Sequence, residues 1–116
     1  VPAGELAHCI RESLIYLTQY GAVCTMHQEG EGCVSSRNVQ AAYDFFEDCL
    51  EAALPSLSAL MVRVECGKCF SIRLMMEEAA GLPNAEKYGT LGKLTIDDAD
   101  GVLCATLSLD RGGEHA

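Results

Sequence analysis

Residues 38–65 read Asn38-Val39-Gln40-Ala41-Ala42-Tyr43-Asp44-Phe45-Phe46-Glu47-Asp48-Cys49-Leu50-Glu51-Ala52-Ala53-Leu54-Pro55-Ser56-Leu57-Ser58-Ala59-Leu60-Met61-Val62-Arg63-Val64-Glu65. The hydrophobic period changes within this stretch. Val39, Ala42, Tyr43, Phe46, Cys49, Leu50 and Ala53 recur at helical spacing, and they predict an amphipathic helix over about residues 38–54, capped by Ser35 or Ser36 and ended by Pro55. Asp44, Glu47, Asp48 and Glu51 fall together on its other side. From residue 60 the alternation is two-fold: residues 60–65 and 70–75 predict a β-hairpin across Cys66-Gly67-Lys68-Cys69.

Working outward, residues 4–20 place Leu6, Ile10, Leu14 and Leu17 on one helical stripe that stops at Gly21. A short β-prone run around Val23-Cys24-Thr25 and a polar turn, Glu29-Gly30-Glu31-Gly32, lead to the central helix. Beyond the first hairpin, residues 77–88 predict a loop with room for one helical turn. Residues 91–96 and 102–109 predict a second hairpin across Asp97-Asp98-Ala99-Asp100-Gly101, whose Asp-Gly is a strong turn signal. Residues 111–116 predict a frayed tail. The order helix, strand, helix, two hairpins predicts an α+β two-layer sandwich, a mixed sheet with helices on one face.

The 116 residues fit one domain, and 49% hydrophobic residues suffice for a packed core. Eight Lys+Arg against seventeen Asp+Glu give −9, a sign that argues against nucleic acid and against direct contact with an anionic membrane. The apolar runs are too short for a transmembrane segment. Seven cysteines are an odd number for a disulfide scaffold. With Cys9, Cys49 and Cys104 beside Ile10, Leu50 and Leu103, they are read as reduced core or near-core thiols of a cytosolic protein. Val1 in place of an initiator Met predicts a piece of a longer chain.

Phe46-Glu47-Asp48-Cys49-Leu50-Glu51-Ala52-Ala53-Leu54 followed by Val62-Arg63-Val64 resembles the N-box helix and following strand of the histidine-kinase-like ATPase domains. Gly89-Thr90-Leu91-Gly92-Lys93-Leu94-Thr95-Ile96 and Thr106-Leu107-Ser108-Leu109-Asp110-Arg111-Gly112-Gly113-Glu114 are similar to the family's closing strands. The resemblance spans nearly the whole chain. It implies the ATPase domain of a two-component sensor kinase-like protein, with a cytoplasmic address and any membrane-bound sensor part upstream. The residues that handle nucleotide depart from the pattern. The N-box Asn, a Mg²⁺ ligand in the family, falls on Ala52, whose methyl group cannot ligate a hard cation. The N-box Glu falls on Asp48, the one candidate catalytic base. The adenine-binding D-x-G-x-G falls on Met76-Glu77-Glu78-Ala79-Ala80, and residues 81–88 hold no glycine-rich lid.

The expectation is a degenerate, pseudokinase-like domain with no cofactor, acting on a protein partner: a kinase dimerisation helix, a response regulator, or a second copy. One alternative retains ATP and Mg²⁺ through Asp48, Glu77 and Glu78. Another makes Cys66 and Cys69 half of a zinc site or a redox pair, with Cys24, Cys33 or His27 completing a zinc site; the reading adopted is a turn with two incidental cysteines. Asp97, Asp98 and Asp100 are read as turn residues, and the acidic side of the central helix as a solvated face. If exposed, Met75-Met76 would mark an adaptable interaction surface.

Overall fold

In the computed structural model, which describes residues 1–111, the elements run α1 (Ala3–Thr18), β1 (Val23–Glu29), α2 (Ser36–Ala53), β2 (Ala59–Cys66), β3 (Phe70–Glu77), a short 3-10 helix (Glu86–Thr90), β4 (Lys93–Ala99) and β5 (Val102–Leu109). The sequence-predicted frayed tail, with His115, lies outside the described residues except for Arg111. The five strands form one mixed sheet in the order β1-β2-β3-β5-β4. β1 pairs parallel to β2, which the intervening α2 crossover permits, and the other pairs are antiparallel.

Alternation decides which face is covered. Leu60, Val62 and Val64 of β2, Phe70, Ile72, Leu74 and Met76 of β3, and Leu103, Ala105, Leu107 and Leu109 of β5 are buried. Their neighbours point to the other, open face. Leu6, Ile10, Leu14 and Leu17 of α1 and Ala42, Phe45, Phe46, Cys49 and Ala53 of α2 close the core over that inner face. This is the two-layer sandwich the pattern predicts.

The ends of α2 follow local chemistry. Ser35 is the cap, its hydroxyl accepting the Asn38 backbone N–H at 3.2 Å. Burial on α2 is wider than the predicted stripe, because Ala41 and Phe45 are also inside. The second hairpin differs from expectation in its turn. β4 begins at Lys93 and runs through Asp97, Asp98 and Ala99. Ala99 pairs Val102 across the two-residue turn Asp100-Gly101, whose φ values are 55° and 78°. Two positive φ values make a type I′ turn, which matches the twist of antiparallel strands. Asp97 and Asp98 are therefore strand residues of an exposed edge, where charge discourages pairing with other chains.

The cysteines divide. All seven are free; Cys49 and Cys66 are buried, Cys24 and Cys104 half-buried, and Cys9, Cys33 and Cys69 exposed. Cys9 thus corrects the near-core expectation: it stands on the outer side of α1, one position off the Leu6-Ile10-Leu14 stripe. A thiol reagent under native conditions is expected to titrate three cysteines fast, and to reach Cys49 and Cys66 only on unfolding. Five or more fast equivalents in a time-resolved titration would contradict this packing.

Candidate functional site

Asp48 sits on α2 where the helix faces the loop between β3 and β4. It is not part of a solvated acidic face. Its carboxylate accepts the Tyr88 hydroxyl at 2.5 Å and lies 3.5 Å from the Lys87 ammonium. Tyr88 belongs to the 3-10 helix, is 2% exposed, and stacks edge-on against Phe45 with ring centroids 5.2 Å apart. Lys87 lies 5.2 Å from the same ring. The tyrosine is thus held by aromatic packing at its body and a charge-assisted bond at its tip. Burial, then the bond to Asp48, raises the Tyr88 phenol well above its ordinary value. Burial, helped by the Asp48 charge, pushes the neighbouring Cys49 thiol up to about 12. Cys49 is thus a neutral core thiol and no nucleophile.

The C-terminal end of α2 is closed as well. The Ala80 backbone N–H donates to the Ala53 carbonyl at 2.9 Å, and the Ser56 hydroxyl donates to the Glu78 carbonyl at 2.6 Å. The segment after β3 therefore lies directly on the helix end. Met76, at the position the resemblance gives to an adenine-binding Asp, is fully buried. Glu78, at the first glycine of that motif, has φ 57°. The left-handed backbone that favours glycine persists here under a glutamate. Glu78→Gly is expected to raise stability by roughly 0.5–1 kcal/mol in urea unfolding, the relief of left-handed strain exceeding the added chain entropy; a loss would show that the Glu78 side chain stabilises the turn.

The other candidate residues do not converge. Glu77 and Glu78 are exposed, and no three His, Cys, Asp or Glu side chains among the described residues gather as a metal site, so Asp48, Glu77 and Glu78 form no carboxylate cluster. Cys66 points into the core and Cys69 into solvent, and neither Cys24, Cys33 nor His27 completes a set with them. Met76 is buried and Met75 is 38% exposed on the open face, so the methionine pair splits between core and surface. The residues sequence reasoning missed are Phe45 and Tyr88. The Phe45-Phe46 doublet was the available signal: two adjacent large aromatics on one helix require contacts in two directions.

At the positions that the resemblance gives to the Mg²⁺ and adenine ligands, the Ala52 side chain has no oxygen and Met76 no carboxylate, and one oxygen of Asp48 is bonded to Tyr88.

No family profile and no curated protein sequence matches the chain. Solved structures do. The histidine kinase domain of the Erythrobacter litoralis EL346 blue-light activated histidine kinase superposes with TM-score 0.65 at 12% identity, covering 96% of this chain and 66% of that one. The catalytic domain of histidine kinase ThkA, in a nucleotide-free form, gives TM-score 0.59 at 9% identity over 94% of this chain and 89% of that one. A second nucleotide-free form of the ThkA domain gives 0.60 at 9% identity. Identities this low carry architecture, and the architecture is clear: this chain has the α+β fold of the histidine kinase catalytic, ATPase-type domains.

Proposed function

We propose that this chain is a degenerate catalytic domain of a two-component sensor kinase-like signalling protein, acting in the cytoplasm through protein contacts with little or no ATP binding. The observation that carries the reading is the Tyr88 hydroxyl on Asp48. One oxygen of the carboxylate that the family resemblance makes the base is bonded from within, and the ring beneath it fills the space between α2 and the 3-10 helix. Ala52 and Met76 support the same reading by their chemistry. No helix among the described residues is long and apolar enough to cross a membrane.

Calorimetric titration of ATP and ADP, with and without Mg²⁺, tests the proposal. The expected result is no saturable heat up to about 1 mM nucleotide, an affinity no better than about −4 kcal/mol. Micromolar affinity that depends on Mg²⁺ and falls in Asp48→Ala would instead establish a divergent kinase domain that displaces Tyr88 to bind.

A further inference from the structure

The outer surface of the helical layer holds a groove of about 630 Å³ between α1 and α2. Its walls include Tyr16, Tyr43 and Leu50, and its rim carries three carboxylates, Glu12, Glu47 and Glu51. No lysine or arginine lines it. Among the described residues no Lys or Arg pairs with Glu47 or Glu51, while Glu12 meets only His8 of its own helix, at 3.8 Å. Tyr16 is 58% exposed at the groove mouth, and its hydroxyl lies 3.0 Å from that of Tyr20, itself 69% exposed. We infer that this groove docks a basic amphipathic helix of a partner protein.

The chemistry selects that occupant. An apolar floor between two helices takes the apolar stripe of a third, with side chains entering at helical spacing. An unpaired acidic rim takes lysines or arginines flanking that stripe, and exposed tyrosine rings add faces on which such cations stack. The α1 wall spans Cys9 to Leu17, about 12 Å at the helical rise, so the contact is two to three turns long. A second copy of this chain is a poor occupant. Each copy carries −9, and α1 and α2 contain one arginine each and no lysine. The inference rests on the reading that the domain works through protein contacts, and it names the surface and the partner's chemistry.

The probe is a synthetic amphipathic peptide of about 18 residues with leucines on one helical face and lysines on the other. A glutamate-for-lysine version of the same pattern is the comparison. Binding is read by fluorescence anisotropy at physiological salt, with amide shift mapping by NMR. The leucine-lysine peptide is expected to bind and to shift amides of α1 and α2. Glu47→Lys/Glu51→Lys is expected to weaken it at least about tenfold, and Tyr16→Ala by about tenfold. Asp97→Lys/Asp98→Lys on the β4 edge makes the same change in net charge and is expected to cost less than about twofold. Equal losses in the two charge variants, shifts centred on the open sheet face, equal binding of the glutamate peptide, or no binding would each overturn the inference. So would a dimer of the free protein that Glu47→Lys/Glu51→Lys disperses, since the groove would then hold a second copy. Nucleotide affinity in the calorimetric titration would remove the degenerate-domain reading and leave the groove to stand or fall on the peptide alone.

Discussion

Replacing Tyr88 with alanine is expected to destabilise the domain by about 3–5 kcal/mol, the range for removing a buried aromatic side chain. The ring is 2% exposed and packs on Phe45, so its loss leaves a void between α2 and the 3-10 helix. Tyr88→Phe separates the two components of this contact. It keeps the packing and removes the hydroxyl that Asp48 accepts at 2.5 Å. Because Asp48 is 35% exposed and close to Lys87, its carboxylate can rehydrate, and the expected cost is smaller, about 1–2 kcal/mol. Urea unfolding of both variants checks the order. A Phe variant as unstable as the Ala variant would place the stabilisation in the hydrogen bond rather than in the packing. On the proposed reading, no nucleotide affinity is expected in either variant.

The second large effect is expected at Gly30. Its φ is 81°, and a Cβ there would stand 2.0 Å from the Cys66 carbonyl oxygen. The obstacle is backbone at the end of β2, held by pairing with β3, and cannot swing aside as a side chain would. Gly30→Ala therefore combines a left-handed conformation that alanine resists with a collision against the sheet. It is expected to cost about 3 kcal/mol or more and to lower Tm by about 10 °C or more. Gly67→Ala is the control, because no atom lies within 4 Å of its Cβ position, and a change of about 0.5 kcal/mol or less is expected. A thermal melt in which the two variants behave alike would mean that the chain reroutes between β1 and α2.

The sandwich is legible in the sequence because each element has a period that reports its own buried face. Leu6, Ile10, Leu14 and Leu17 announce α1, and Phe70, Ile72 and Leu74 announce β3, which runs on to Glu77 beyond the expected residue 75. Turn chemistry locates Asp100-Gly101 without locating the strand end, since Asp97 and Asp98 look alike in a turn and on an exposed edge. Cys9 misleads because an apolar neighbour in sequence, Ile10, points to a different side of a helix. The side chains at the positions that the resemblance gives to nucleotide ligands, Ala52 and Met76, are legible as well. What fills the site is not. Asp48 and Tyr88 are forty residues apart, in segments whose local patterns are complete without each other. Asp48 therefore reads as one more member of an acidic helix face, and only tertiary structure separates it from Glu47 and Glu51.

The Tyr88–Asp48 contact also makes the domain its own competitor. A hydroxyl tethered through a folded chain confronts the carboxylate at an effective concentration that a free ligand at millimolar levels does not approach. A molecule that must displace the Tyr88 hydroxyl from Asp48 binds only the fraction of chains in which that contact is open, and its apparent affinity falls in proportion to that fraction. If opening costs about 3 kcal/mol, the attenuation is about 100-fold before the ligand's own chemistry is considered. A ligand that needs both oxygens of Asp48 would accordingly bind weakly while Tyr88 remains in place.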